Sequence, residues 1–388
     1  MLINKKRKLY INKHFVLFFL SQTVLGCGLC IQNIAFAQLL LEKTGSGLTT
    51  GFSMITAPLP GMIFSIFAGN LGERLPSKNV LIVLDILKGL AILFIIFSNT
   101  GLIMFIMLLV NFLDVLYTPS KNKILRSIIG KDELLNGNSI LNGGYGLISL
   151  TTPMIMGFFI SIYGPRPAFL INSLLCFLSS FLLSKIKIKS YDNQDTLSLS
   201  VKKYFFRLKG LKNTILTLAV IDFGTTSVNI AFYSFAFDTL KVSSSYWGLM
   251  LSILYGMNLF SMLLLMCFKK WFSRFSRGIT YLMLAIVSCV WCYYCFSNNI
   301  LYILVVVAIE GICLSLVNTL LTTDILENTK KEYIARVTGI RLLTSNCAKL
   351  LGICSSYVFM LFYRPRFVFV ASAFIMLIYL MYRINYKE

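Results

Sequence analysis

Long apolar runs separated by short polar intervals constrain this chain more than any other feature. A hydropathy reading gives twelve runs, and most approach the ~20 residues that a helix needs to cross the ~30 Å hydrocarbon core of a bilayer. Their approximate bounds are residues 15–41, 48–68, 80–97, 102–117, 143–162, 168–183, 214–237, 247–268, 279–296, 300–322, 337–362 and 367–382. The expected fold class is therefore an all-α membrane protein with twelve transmembrane helices.

Composition supports this class. Hydrophobic residues make up 57% of the 388 residues and charged residues only 13%, whereas a soluble protein of this size needs more polar side chains on its surface. The ten cysteines lie in apolar stretches, which predicts buried thiols rather than the disulfides of a secreted protein. The first run is too long for the apolar core of a signal peptide, so a retained first helix is expected.

The net charge of +21 raises the question of a nucleic-acid partner. The basic residues fall between apolar runs rather than on one folded face, so no such partner is expected. Most Lys and Arg residues lie in every second interval, starting with the N-terminal segment. The positive-inside rule then predicts a multi-pass protein of the cell (cytoplasmic) membrane with both termini in the cytoplasm.

The longest polar interval falls near the middle of the chain and predicts two six-helix halves. A short internal repeat supports this division, because "YGPRPAF" at Tyr163–Phe169 recurs as "YRPRFVF" at Tyr363–Phe369. Parallel six-helix repeats are a known transporter plan. The predicted domains are residues 1–184, a cytoplasmic linker 185–212, and residues 213–388.

Polar residues recur at helical spacing within several runs and predict shared polar faces. One face lies on the seventh run, and thinner ones lie on the first, fourth and fifth. The side chains predicted to contact substrate are Gln22, Asn33, Asn142, Asn229 and Tyr233. The alternative is that these residues form hydrogen bonds between packed helices, which use the same residue types.

Three charged residues are expected to lie deepest in the bilayer, namely Asp222, Glu310 and Lys349, and Lys88 also lies within a run. A charge at the bilayer centre costs ~2.5–3.5 kcal/mol on insertion scales, so Lys349 is expected to pair with Glu310 or Asp222. Such a cluster can exchange a proton and couple transport to it. The alternative is a buried ion pair that only fixes helix packing.

The stretch "GNLGERLPSKNVLIVLDILKG" resembles the loop between the second and third spans of the major facilitator superfamily, "GxLaDrxGrkxxl". Gly69, Leu71, Arg74, Lys78 and Leu81 match in register. The segments "LSQ", "EKTGSGL" and "TPSKNKILRSIIGKDELLNGNSI" resemble the macrolide-efflux-like branch of drug exporters.

The resemblance implies a major facilitator fold in which spans 1, 4, 7 and 10 line the cavity. It also implies a cytoplasmic gate, in which Arg74 reaches Asp85 or Asp114 when the inside is closed; the alternative is that these are ordinary loop charges. The predicted gate and motif residues are Gly69, Glu73, Arg74, Lys78, Asp85, Asp114, Pro153 and Gly157. The usual coupling residues of the first and fourth spans have no counterpart here, so Asp222 and Glu310 are the expected proton carriers.

The expected function is secondary active transport by alternating access. The chain is expected to export a small amphipathic compound (a drug, antibiotic or secreted metabolite) in exchange for protons, acting as a monomer in the lipid bilayer. No metal site is expected, because Cys289, Cys292 and Cys295 have no histidine or acid beside them. No enzyme chemistry or cofactor is expected either, because the sequence shows no Gly-rich phosphate loop and no nucleophile–base arrangement. An importer or facilitator of the same fold, and a non-transporting partner or sensor, are the alternatives.

Overall fold

The computed structural model describes residues 12–64, 77–129, 134–187, 209–297, 299–329 and 334–385, and their regular elements are helical. The helices used below are α1 Lys13–Thr44, α2 Gly47–Phe52, α3 Ser77–Ile95, α4 Thr100–Ile129, α5 Leu134–Tyr163, α6 Arg166–Ser184, α7 Lys209–Ser234, α8 Ser244–Cys267, α9 Ser276–Phe296, α10 Ile300–Asn328, α11 Ile334–Phe362 and α12 Pro365–Asn385. Apolar runs form helices because a helix satisfies its own backbone polar groups where no water is available.

Shorter helical elements follow some of these helices or connect them. A 3-10 turn, Ser53–Thr56, follows α2, and residues 58–64 are helical. A π-helical turn, Phe235–Thr239, follows α7, and the short helix Lys269–Arg274 lies between α8 and α9.

Ten of the described helices are long and apolar enough to cross a membrane. They correspond to the first predicted span and to the fourth through the twelfth. The third predicted span is α3, a 19-residue helix with three charged residues, Lys78, Asp85 and Lys88. The second is described only as far as residue 64. The predicted all-α membrane architecture is confirmed.

Some helices extend well beyond the apolar runs that predicted them. The fourth run ends at Tyr117, but α4 continues to Ile129 through Lys121 and Lys123. Hydropathy marks only the part of a helix that crosses hydrocarbon, and Lys is a good helix former in water. The helix therefore does not end where the apolar run ends.

The chain forms two compact units that are interleaved in sequence. Unit 1 consists of Met1–Lys43, Leu59–Thr196 and Ser244–Ser252, and unit 2 of Thr44–Pro58, Leu197–Ser243 and Ile253–Glu388. The predicted division into residues 1–184, 185–212 and 213–388 stays a prediction.

In unit 1, α3 packs against α4 and α6. The α3–α6 contact is close at Gly89, where a Cβ atom would lie 2.9 Å from the Phe177 ring. An apolar core fills one part of the unit, with Phe15, Phe18, Leu81, Leu84, Leu113, Ile124 and Leu183 among its buried members. The polar residues of α3 are thus held against two neighbouring helices.

In unit 2, α7 packs against α11 and α12, and α9 packs against α10 and α12. The α7–α11 crossing is tight, because a Cβ atom at Gly352 would lie 2.6 Å from the carbonyl oxygen of Phe223. Ser227 Oγ donates a hydrogen bond to the Gly352 carbonyl oxygen at 3.2 Å. Small residues permit this close approach of two membrane helices.

The segment containing α2 is attached to α7 within unit 2. The Gly47 backbone N–H donates to Asp238 Oδ1 at 2.8 Å, and Ser234 Oγ donates to Asp238 Oδ2 at 2.7 Å. Asp238 thereby connects the N-terminus of α2 to the C-terminal end of α7.

Candidate functional site

The structure brings Asp222 of α7 and Lys349 of α11 together. Lys349 Nζ lies 3.9 Å from Asp222 Oδ1, which is one of the two pairings predicted from the sequence. The tight crossing explains the contact, since Asp222 precedes Phe223 in the chain and Lys349 lies almost one helical turn before Gly352. Backbone packing therefore places the two charges near each other.

The Asp222–Lys349 pair is loose and accessible. Its 3.9 Å separation exceeds that of a hydrogen bond, and in the described parts of the chain neither side chain forms a hydrogen bond. The Lys349 side chain is 40% exposed and that of Asp222 is 19% exposed. Both charged groups consequently retain capacity to bind another group.

The polar face predicted on the seventh run also includes Thr225, Asn229 and Tyr233, which lie in different environments. Thr225 Oγ1 donates to the Ile221 carbonyl oxygen of its own helix at 2.8 Å. Asn229 is exposed, whereas Tyr233 is buried. Asp222 and Asn229 are therefore accessible members of this predicted face, whereas the Thr225 hydroxyl is bonded to the backbone of its own helix.

Glu310 of α10 lies in a closed environment. Trp291 Nε1 donates to its Oε1 at 2.8 Å, and the Tyr294 hydroxyl donates to its Oε2 at 2.6 Å. The Tyr294 ring also contacts Phe232 and Phe369, with ring centroids 5.2 and 5.5 Å away. Both carboxylate oxygens of Glu310 already accept a hydrogen bond, and Lys349 pairs with Asp222 rather than with Glu310.

Three predicted substrate residues lie on helices of unit 1. Gln22 Nε2 on α1 donates to the Tyr117 hydroxyl of α4 at 2.8 Å. Asn33 on α1 and Asn142 on α5 have exposed side chains. Their predicted contact with substrate stays a prediction.

The predicted gate residues are described only in part, because Gly69, Glu73 and Arg74 lie outside the described residues. Lys78 Nζ donates to the Ser184 carbonyl oxygen at 2.8 Å. Asp85 is fully buried. The predicted reach of Arg74 to Asp85 or Asp114 stays a prediction.

The ion pair of Lys88 is the contact that sequence reasoning missed in this region. The Lys88 ammonium group donates to Asp114 Oδ1 and forms an ion pair with it. A signal was present, because Lys88 is the one lysine inside the third apolar run and lies three residues after Asp85, on the same face of a helix.

Pro153 and Gly157 lie where α5 meets the first part of α8 in unit 1. A Cβ atom at Gly157 would lie 2.6 Å from the Ser244 carbonyl oxygen and 2.9 Å from Gly248 Cα. Pro153 interrupts the hydrogen-bond pattern of α5. Gly157 and Gly248 thus permit a close contact of two helix backbones, and the Pro153 carbonyl oxygen would lie 2.4 Å from a Cβ atom at Gly248.

Among the described residues, the His, Cys, Asp and Glu side chains form no group of three or more that could hold a metal ion. The ten cysteines are free thiols.

Comparison with solved structures supports the fold over nearly the whole chain. The nucleoside transporter NupG matches with a TM-score of 0.74 and 13% identity, covering 96% of this chain and 100% of that chain. A bacterial homologue of the human lysosomal transporter Spinster matches with a TM-score of 0.72 and 12% identity, covering 95% of each chain. A bacterial homologue of the iron transporter ferroportin gives 0.70 and 13%, covering 95% of this chain and 98% of that chain.

No curated protein sequence matches the chain. The family profile of the Major Facilitator Superfamily does match, over residues 18–211 and 214–387. Its two matched segments and the membrane-crossing helices agree with the predicted major facilitator fold. The chain therefore belongs to the Major Facilitator Superfamily, a family of transporters, and is a multi-pass membrane transporter.

Proposed function

We propose that this transporter exports a small amphipathic compound in exchange for protons, and that Asp222 is the coupling carboxylate. The observation that supports this role is the loose, accessible contact between Asp222 and Lys349. A carboxylate that is both charged and reachable can exchange its lysine partner for a proton. The proton gradient then supplies the energy, without a cofactor.

Protonation of Asp222 and release of Lys349 are linked in this mechanism. While Asp222 is ionised, the ammonium group of Lys349 stabilises its negative charge. When Asp222 takes up a proton, Lys349 loses its partner, and its ammonium group moves into the space that the substrate would occupy. Binding of substrate returns Lys349 to Asp222, which then releases its proton. Binding of substrate and binding of a proton to Asp222 therefore exclude each other, as exchange requires.

Glu310 has a packing role in this proposal. Its two oxygens accept hydrogen bonds from Trp291 and Tyr294, and proton exchange there requires that these contacts rearrange. Such a network stabilises one arrangement of α9 and α10. The proton-carrying role predicted for both acids is thus assigned to Asp222.

The membrane and the direction of transport belong to the proposal as well. The distribution of Lys and Arg favours the cell membrane with both termini in the cytoplasm. The resemblance to the macrolide-efflux-like branch favours export of a drug, antibiotic or secreted metabolite. Alternating access between two six-helix halves, by a monomer, is the mode of transport that this family membership favours.

Transport by the purified protein in liposomes tests the proposal. A panel of fluorescent amphipathic compounds with positive, neutral and negative charge is offered with and without an imposed pH gradient. The wild-type protein is expected to accumulate at least one compound against its concentration gradient only when the pH gradient is present. Accumulation without a pH gradient, or the absence of transport of any kind, would contradict it.

Two variants separate coupling from binding. Asp222→Asn should abolish accumulation driven by the pH gradient but keep exchange of labelled for unlabelled substrate without a gradient. The matched control is Asp324→Asn, since Asp324 accepts a hydrogen bond from Thr214 at 2.6 Å and has no assigned role in coupling. Normal gradient-driven accumulation by Asp222→Asn would remove this acid from the mechanism.

A further inference from the structure

A second acidic side chain lies deep in unit 1 without a matching cation. Asp85 of α3 has no solvent exposure, and Ser179 Oγ of α6 donates to its Oδ2 at 2.8 Å. Its other oxygen, Oδ1, is buried and has no hydrogen-bond partner among the residues that the structure describes. One ionised oxygen of this carboxylate would thus be left without stabilisation.

Lys88, the lysine that follows Asp85 on α3, is paired with a different acid. Lys88, one turn along α3, forms its ion pair with Asp114 of α4. Its ammonium group lies 4.5 Å from the centre of the Tyr117 ring. Within the described parts of the chain, Asp85 makes no ion pair, so Asp85 and Asp114 have one lysine between them.

The other titratable groups around this cluster do not supply the missing charge. Asp85 is within electrostatic range of Lys88 and Asp114, and also of Tyr117 on α4 and Cys176 on α6. Lys121 of α4 is within range of Lys88, but it is not among the groups around Asp85. With both acids ionised, Asp85, Lys88 and Asp114 would carry a net charge of about −1 in a poorly hydrated place.

We propose that Asp85 holds a proton, and that Asp85, Lys88 and Asp114 form a second protonation site of the transporter, in unit 1. A buried carboxylate that lacks a cation and one hydrogen bond is costly in its ionised form, and a proton removes most of this cost. With that proton, the three groups have no net charge. The Oδ2 contact with Ser179 is compatible with either form.

The geometry also provides a route for exchange. Asp85 and Lys88 are three residues apart on one helix and therefore share a face, so a rotamer change can bring the Lys88 ammonium to Asp85. Asp85 then gives up its proton, and Asp114, whose side chain is 39% exposed, accepts it. The three groups remain neutral overall in both arrangements, because the proton resides on whichever acid lacks the lysine.

This site is independent of the role proposed for Asp222, and infrared spectroscopy tests it without a known substrate. Isotope labelling of aspartate side chains distinguishes their carbonyl bands from those of glutamates such as Glu310. The full-length protein in lipid at neutral pH should show a carbonyl band of a protonated aspartic acid. Asp85→Asn should abolish the band, and Asp222→Asn should leave it unchanged.

Two further variants test the sharing of the lysine. Lys88→Gln should add a second protonated-aspartate band, because neither acid then has a cation. Asp114→Asn should remove the band, because Lys88 is then free to pair with Asp85.

Ser179→Ala keeps the Asp85 carboxyl group and serves if Asp85→Asn does not fold. It should shift the frequency of the band without removing it, because the hydrogen bond to Oδ2 is lost. Absence of a protonated-aspartate band in the wild-type protein, or its persistence in Asp85→Asn, would overturn the proposal. The first result would favour the predicted contact of Arg74 with Asp85.

Discussion

Asp222 and Glu310 are two acidic side chains within unit 2 that differ in almost every contact. Asp222 is partly exposed, and the ammonium group of Lys349 is 3.9 Å away. Glu310 is buried, and both of its oxygens accept hydrogen bonds shorter than 3 Å. The first is available to exchange partners, whereas the second stabilises the packing of α9 against α10. Position along an apolar helix therefore does not reveal which acid is reactive; the donors around it do.

The largest effect on stability is expected for Glu310→Ala. Removal of the carboxyl group leaves the Trp291 and Tyr294 donors buried without acceptors, and each such group costs about 1–3 kcal/mol. The free energy of unfolding should fall by about 2–6 kcal/mol, as measured by detergent-induced unfolding in bicelles. If Glu310→Ala lowered the free energy of unfolding as little as Asp222→Asn does, the proposed difference in packing role between the two acids would be wrong.

Tyr294→Phe should produce the next largest effect. It removes one hydrogen bond to a carboxylate and keeps the ring contacts with Phe232 and Phe369. A loss of about 1.5–3 kcal/mol in the free energy of unfolding is expected if Glu310 is ionised. The same unfolding experiment measures it, and a loss below this range would indicate that Glu310 is protonated.

Gly352→Ala tests how the open pair is held together. The added methyl group would lie 2.6 Å from the Phe223 carbonyl oxygen, so α7 and α11 must separate at the crossing. Overpacking of this kind costs about 1–3 kcal/mol. Gradient-driven transport should fall as well, because Asp222 and Lys349 move apart. Unchanged transport and stability would show that the crossing does not position the pair.

The smallest effect on stability is expected for Asp222→Asn. A loose and partly exposed ion pair contributes about 0–1 kcal/mol, so the free energy of unfolding should change by no more than about 1 kcal/mol. Transport driven by a pH gradient should nevertheless be lost. A large loss of stability would instead assign Asp222 a packing role like that of Glu310.

The sequence predicted the helices and one of the key contacts, but not the environment of each charge. Regular hydrophobicity revealed the spans, and the rarity of charges within them singled out Asp222, Glu310 and Lys349. The choice of Asp222 as the partner of Lys349 depends on the α7–α11 crossing at Gly352, which no local pattern reveals.

The neighbours of Glu310 and Asp114 were missed for a similar reason. Trp291 and Tyr294 lie on α9, whereas Glu310 lies on α10. Both aromatic residues are part of an apolar run, so the sequence pattern does not mark them as hydrogen-bond donors. Lys88 was recognised as a charge within a span, but its pairing with Asp114 depends on the packing of α3 against α4. In both cases tertiary contacts between helices decide the chemistry.

Proton release on substrate binding tests the central claim most directly. Purified protein in a weakly buffered solution with a pH indicator is mixed with a substrate identified in the liposome panel. If Asp222 is the coupling carboxylate of an exporter that exchanges substrate for protons, the wild-type protein and Asp324→Asn should each release protons on binding. Asp222→Asn should bind the substrate and release none. Proton release by Asp222→Asn equal to that of the wild-type protein would contradict the account.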